Sequence, residues 1–217
     1  MVQRLKVDKA AMLLYVVTDR TWLGENNLAQ QVEEIVRAGA TFVQLREKDL
    51  DFDNFVKEGI ALKKITDHYN VPFVINDNIE VALAIDADGV HVGQSDLSAQ
   101  EVRTRIGEHK ILGVSAQTVE QALLAEQQGA DYIGVGAVFS TSTKNDADDV
   151  SYAALKAICE AVHIPVVAIG GINEHNILKL SDSKVDGVAV ISAIFAKTDI
   201  VAATEELLKL SKTMVQQ

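Results

Sequence analysis

The chain has 217 residues, enough for one domain with a sizeable core and short for two. Apolar residues make up 48% of it and charged residues 24%, which excludes an intrinsically disordered chain. A formal charge of −11 sets it against nucleic acid and anionic membrane, and no apolar stretch has the length of a membrane span.

Residues 1–11 are expected to form an N-terminal extension that packs on a single domain covering 1–217. The basic Arg4, Lys6 and Lys9 precede the apolar run 12–17. That run is short, ends in Thr18-Asp19-Arg20 and carries no small-residue cleavage signal, so it is expected to be a buried strand and not a signal peptide. From there the pattern alternates. Strands are predicted at 13–17, 42–46, 73–76, 89–92, 111–114, 132–136, 166–169 and 188–191. Helices are predicted at 28–38, 52–69, 79–85, 99–106, 119–128, 152–162, 174–180 and 200–212. Most strands lack polar/apolar alternation over much of their length, as strands buried on both faces do in parallel sheets covered by helices.

The helix ends carry their own signals. Ser98 with Glu101, and Thr118 with Gln121, have capping-box spacing, and Asn27 and Asn173 are good N-caps. Gly39 and Gly129 stand where a helix closes in a left-handed residue. Similar connections recur in Gly39-Ala40-Thr41-Phe42, Gly129-Ala130-Asp131-Tyr132 and Val185-Asp186-Gly187-Val188. Repetition of one strand–helix unit eight times gives an α/β, single-domain (β/α)8 TIM barrel. An open doubly wound sheet is the weaker alternative, because no Gly-x-Gly-x-x-Gly follows the first strand.

In such barrels chemistry gathers at the carboxyl ends of the strands. Gln44-Leu45-Arg46-Glu47-Lys48 follows the second strand, Asn76-Asp77 the third, and Gln94-Ser95-Asp96 the fourth. Ser115 follows the fifth, Ser140-Thr141-Ser142-Thr143-Lys144 the sixth, Gly170-Gly171 the seventh and Ser192 the eighth. Strand alternation puts Gln44, Arg46 and Lys48 on one face and Val43 and Leu45 on the other. Two cations facing a barrel mouth suit an anion, although a strand end paired with Glu47 reads as well in isolation. Asp77 and Asp96 on one rim can hold Mg2+, while Asp77 by itself reads first as a helix N-cap. Ser140 to Lys144 is either a phosphate loop or an ordinary polar turn. Ser192-Ala193 can open a short extra helix facing phosphate, and Gly171 permits close approach of a ligand. His91 is expected to be a neutral, hydrogen-bonded core histidine. The lone Cys159 allows no intrachain disulfide, fits a reducing cytoplasm and reads as a buried thiol.

Several segments together carry a resemblance. They are Tyr15-Val16-Val17-Thr18-Asp19, Gln44 to Lys48, Ile75-Asn76-Asp77, Gly89-Val90-His91-Val92-Gly93-Gln94, Gly113-Val114-Ser115, 136–144, 168–172 and 187–192. In order and spacing the chain resembles the thiamine-phosphate synthase family, which has this barrel fold. The resemblance implies a cytoplasmic, Mg2+-dependent transferase. It would join a hydroxymethylpyrimidine pyrophosphate to a thiazole phosphate and release pyrophosphate. It implies that Gln44, Leu45, Arg46, Glu47, Lys48, Asn76, Ser115 and Lys144 bind the pyrimidine substrate, with Arg46, Lys48, Ser115 and Lys144 catalytic. Thr141, Ser142, Thr143, Gly171, Ile191 and Ser192 would hold the thiazole phosphate, and Asp77 and Asp96 the Mg2+. The expected partners are these small molecules, with no nucleic acid or membrane; a homo-oligomer is compatible. The family loop usually reads Pro-Thr-Pro-Thr-Lys, where this chain has Ser140 and Ser142, and Gln117 stands where many members have His. The rival readings are a thiazole tautomerase-like isomerase, which needs no Mg2+ and pyrophosphate apparatus, and a non-catalytic phosphate-binding regulatory barrel.

Overall fold

A computed structural model describes residues 7–24, 27–94, 96–140 and 150–216. Within them, β1 (Leu14–Val17), β2 (Phe42–Leu45), β3 (Phe73–Asn76) and β4 (Gly89–Val92) are followed by β5 (Ile111–Ala116), β6 (Tyr132–Val135), β7 (Val166–Ile169) and β8 (Gly187–Val190). All eight pair in parallel and in chain order, and β8 closes on β1. The helices α1 (Leu28–Arg37), α2 (Phe52–Tyr69), α3 (Ile79–Ala84), α4 (Ala99–Ile106), α5 (Val119–Gln127), α6 (Tyr152–Ala161) and α8 (Ile200–Val215) form the outer ring, and a one-turn helix α7 (Ser192–Phe195) follows β8. This is the expected (β/α)8 barrel. No helix among the described residues is long and apolar enough to cross a membrane.

Alternation along each strand sorts the core into two layers. Leu14, Val16, Val43, Leu45, Phe73, Ile75, Val90 and Val92 point outward into the helix–sheet layer. Tyr15, Val17, Phe42, Val74, Ile111, Tyr132 and Val167 fill the barrel interior. The helices supply the matching stripe: α1 buries Leu28, Gln31, Val32, Ile35 and Val36, spaced three and four apart. Each such aliphatic burial stabilises by roughly 1.5–3 kcal/mol. At the amino-terminal end, Val7 and Ala11 pack against the interior cluster.

Capping chemistry follows the sequence at most ends. Asn27 and Ser98 form complete capping boxes with Gln30 and Glu101. Gly39 and Gly129 take positive φ values of 109° and 94° after their helices. Two expectations change. Thr118 caps α5, but the Gln121 side chain accepts from the Gln117 N–H, so only half of that box forms. The helix expected at 174–180 is a single 3-10 turn, Ile177–Leu180. The Asn173 and Asn176 side chains bond to the backbone at Gly171, His175 and Asn173, and these local bonds replace the first helical turn.

The recurring connection has a structural meaning. Thr41, Asp88, Asp131 and Asp186 each stand just before an even-numbered strand. Their side chains accept from the backbone N–H groups of Leu14, Phe73, Leu112 and Val166, at 2.8, 2.8, 2.9 and 2.9 Å. Their own N–H groups donate back to the carbonyls of the same four residues. The barrel bottom is therefore clamped four times by one two-bond device, whose period is two strand–helix units. The clamp at Asp131 is reinforced by Arg103, whose Nη2 lies 2.6 Å from the Asp131 carboxylate in a buried pair. Arg103 also donates to the carbonyls of Gly107, Lys110 and Gly129.

Replacing Asp131 by Ala leaves a buried guanidinium and the Leu112 N–H without their acceptor. It should lower stability by about 3–5 kcal/mol. Thr41→Val removes only neutral hydrogen bonds and should cost roughly 1–2 kcal/mol. Urea midpoints of the two variants measure the difference, and equal midpoints would contradict the ranking.

Candidate active site

A cavity of about 500 Å3 opens at the carboxyl ends of the strands. Every strand contributes to it. Tyr15 and Val17 come from β1, Gln44 from β2, Asn76 from β3, His91 from β4, Ser115 from β5, Gly134 from β6, Ile169 from β7 and Ala189 from β8. The loops add Arg46, Lys48, Asp77, Gln94, Asp96, Gln117, Gly171, Ile191 and Ser192.

Most of the side chains expected from the sequence thus converge. Gln44, Arg46 and Lys48 share the cavity face as expected, although β2 ends at Leu45; Thr18 extends the β1–β2 pairing one step by accepting from the Arg46 N–H at 3.0 Å, and Lys48 reaches the cavity from the loop. Two expected residues are not brought there. Leu45 is fully buried in the outer layer, because it occupies the opposite strand face. Glu47 turns to Arg20, with Nε to Oε1 at 2.7 Å, and Arg20 also holds Glu58 at 2.8 Å. Burial pushes the Glu47 carboxyl above the usual carboxylate range, against the downward pull of Arg20. Desolvation alone would lower the Arg20 guanidinium, but its bonds to Glu58 and Glu47 outweigh that and raise it. Among the described residues, no ion-pair partner is found for Arg46 or Lys48. Thr141, Ser142, Thr143 and Lys144 lie outside the described residues.

The two rim carboxylates are positioned differently. Asn78, and not Asp77, caps α3 by accepting from the Val81 N–H at 2.9 Å. Asp77 has a left-handed φ of 60° and donates its N–H to the His91 carbonyl at 2.8 Å. That conformation is unfavourable for a residue with a Cβ, and such cost gathers at functional positions. The Asn76 amide donates to the Asp77 carboxylate at 2.6 Å. Asp96 accepts from the Gly93 N–H at 2.6 Å, while Ser98 caps α4. No three His, Cys, Asp or Glu side chains among the described residues group to hold a metal by themselves. A pair of hard oxygen donors lining the same cavity as two cations suits a cation such as Mg2+, which takes few carboxylates and completes its shell with water and substrate phosphate.

Beneath the rim runs a polar line through the barrel. The Gln44 amide donates to the Tyr15 hydroxyl at 2.7 Å, and the Tyr15 and Tyr132 hydroxyls are 2.7 Å apart. Tyr132 meets His91 Nδ1 at 2.9 Å, and His91 Nε2 meets Ser115 Oγ at 3.0 Å. Complete burial pushes both phenols above their ordinary range, so they remain protonated. His91 is half-buried and hydrogen-bonded as expected, yet it also lines the cavity. Tyr15 and Tyr132 did not stand out as site residues in the sequence, and Gln94 and Gln117 were noted there without a role. For the tyrosines a usable signal existed: an inward strand position gives a phenol that must find a partner. Gly113 makes room for the line, since a Cβ there would lie 2.1 Å from the Tyr132 ring and 2.5 Å from His91 Nδ1. Cys159 is outside the site, and burial first, then the nearby Asp186 charge, push its thiol up to about 12.

Gly113→Ala should therefore destabilise the protein by about 1–3 kcal/mol and displace Tyr132 or His91. A thermal melt with a histidine NMR spectrum reads both, and an unshifted His91 signal would contradict it. Cys159 should react with iodoacetamide at pH 8 at least about 100-fold more slowly in the folded than in the unfolded chain. Comparable rates would show an accessible thiolate.

The family model described as thiamine monophosphate synthase matches residues 14–194. The chain is similar to the thiamine-phosphate synthase of Clostridium tetani, with 53% identity over 89% of this chain and 93% of the relative. It is likewise similar to that of Methanobrevibacter smithii, with 50% identity over 90% of this chain and 93% of the relative. Among solved structures it matches a thiamine phosphate pyrophosphorylase from Pyrococcus furiosus, with a TM-score of 0.88 and 40% identity over 95% of this chain and 98% of that one. With barrel, rim chemistry and near-full-length similarity in agreement, the chain belongs to the thiamine monophosphate synthase family of transferases.

Proposed function

We propose that the chain makes thiamine phosphate in the cytoplasm, joining 4-amino-2-methyl-5-(diphosphooxymethyl)pyrimidine to 4-methyl-5-(2-phosphooxyethyl)thiazole. The observation that carries this reading is one cavity lined by both Arg46 and Lys48 and by Asp77 and Asp96, which follow the adjacent strands β2, β3 and β4. The C–O bond between the pyrimidine methylene and the diphosphate breaks, and its electron pair leaves with the diphosphate. The thiazole nitrogen lone pair then forms the new C–N bond, so no protein nucleophile is required. Gln44 orients the pyrimidine from the cavity wall. Arg46, Lys48, Asn76, Ser115 and Lys144 bind the diphosphate and stabilise the charge that builds on it, the electrostatic contribution expected of preorganised donors. Thr141, Ser142, Thr143, Gly171, Ile191 and Ser192 hold the thiazole phosphate and set its nitrogen in line. Asp77 and Asp96 would hold Mg2+, which supplies further neutralisation of the diphosphate. Val17, Ile169 and Ala189 keep the inner wall apolar and limit water at the reacting carbon.

Asp77→Asn keeps a side chain that tolerates a positive φ but removes the charge. It should lower turnover at least about 100-fold, as should Lys144→Ala. Both should keep stability within about 1 kcal/mol of the parent. The assay mixes both substrates with Mg2+ and follows thiamine phosphate and pyrophosphate. Near-normal turnover in both variants, or full activity after thorough chelation, would overturn these assignments. Binding of the thiazole phosphate without pyrophosphate release would favour a regulatory barrel instead.

A further inference from the structure

The line beneath the cavity has a direction. Gln44, Tyr15, Tyr132, His91 and Ser115 are joined by four consecutive hydrogen bonds of 2.7, 2.7, 2.9 and 3.0 Å. Both ends line the cavity, and the two tyrosines in the middle are buried. A buried hydroxyl has one proton to place and needs one to receive, so each link constrains the next.

The Gln44 amide nitrogen donates to Tyr15 Oη. The Tyr15 proton then goes to Tyr132 Oη, its other partner in the line. The Tyr132 proton goes to His91 Nδ1, which must be the unprotonated nitrogen of the ring. The ring proton is therefore on Nε2 and is donated to Ser115 Oγ. The Ser115 proton is left to turn into the cavity, and Gln44 shows the cavity its carbonyl oxygen. With a neutral His91 ring, only one other arrangement satisfies every buried hydroxyl: the complete reversal, in which Ser115 donates to His91 and Gln44 accepts from Tyr15. Any mixture leaves a buried hydroxyl proton without an acceptor, at roughly 1–3 kcal/mol.

We propose that Tyr15, Tyr132 and His91 are positioning residues that lock Gln44 and Ser115 into one shared polarity, so that the cavity recognises an amine at one end and an anionic oxygen at the other as a single cooperative choice. This rests on the site reading above, in which an aminopyrimidine and its diphosphate are one substrate. An exocyclic amine needs an acceptor at Gln44, and a diphosphate oxygen needs a donor at Ser115. Both demands select the same direction of the line. An oxo group in place of the amine would demand a donor at Gln44, reverse the line and remove the Ser115 proton from the diphosphate. The pocket therefore discriminates between amino and oxo pyrimidines at two places through one switch.

The first measurement needs neither substrate nor variant. Nitrogen-15 NMR of the free protein should show His91 as the Nε2–H tautomer, and a ring protonated at Nδ1 would overturn the proposal. The second is a double-mutant cycle on binding of the pyrimidine pyrophosphate alone, with Gln44→Leu and Ser115→Ala. In the parent background the two losses should deviate from simple multiplication by about threefold or more. In a Tyr132→Phe background they should multiply. Tyr15→Phe interrupts the line at its neighbour and replaces Tyr132→Phe if that chain does not fold. Losses that multiply in the parent background, or coupling that survives interruption of the line, would overturn the proposal. Absence of thiamine phosphate formation would instead strike the site reading and leave the tautomer result standing.

Discussion

The structure depends on how the barrel satisfies its strand starts. Parallel strands that begin at one rim present backbone N–H groups that cannot be left buried without partners. Here a threonine and three aspartates close that rim, each bonded twice to one residue of the preceding strand. Two bonds to a single residue fix more than proximity. They fix register, and a slip of one residue would exchange the two faces of a strand. Gln44 would then enter the helix–sheet layer and Leu45 the cavity. The catalytic rim is set by hydrogen bonds at the opposite end of the same strands.

That register also explains how a polar line survives in an apolar barrel. Tyr15, Gln44, His91, Tyr132 and Ser115 come from five different strands and meet only because each occupies an inward position at compatible height. The interior gives up side-chain volume to admit them, since Gly113 and Gly134 face the His91 ring. Each buried hydroxyl and ring nitrogen in the line has a partner, so burial costs little net stability while fixing rotamers firmly. The floor of the site is thereby rigid before any ligand arrives.

Much of this was legible in the chain. Short apolar strands, left-handed glycines after helices and repeated connections specified the barrel, and alternation at Gln44, Arg46 and Lys48 placed them together. The limits were physical. The connections at Ala40-Thr41, Ala130-Asp131 and Val185-Asp186 were visible as a pattern, but their role needs a partner 19 to 27 residues away. Tyr15 and Tyr132 sit in apolar runs and read as core; their hydroxyls acquire meaning only across 117 residues of sequence. Asp77 and Asn78 are both competent caps, and local sequence cannot decide which one turns into the helix. The helix after β7 failed because two asparagines had backbone partners closer than the next helical turn.

One ion pair shows how an acidic protein keeps cations for an anionic ligand. Glu47 lies between Arg46 and Lys48 in sequence, and a carboxylate so near could neutralise either. Past the end of β2 it turns away from the cavity to Arg20, which meets it at 2.7 Å. Arg20 also takes Glu58, so two negative charges near the rim are occupied by one guanidinium. With a chain charge of −11, local arrangement has to overcome the general field. Removing Glu47 from the cavity leaves Arg46 and Lys48 without a described ion-pair partner, and two neighbouring cations repel each other until an anion binds. In the proposed reaction a diphosphate would relieve the repulsion, the more so as negative charge accumulates on its leaving oxygen. On that proposal the cavity would respond more strongly to the charge that develops during bond breaking than to a neutral ligand of the same shape.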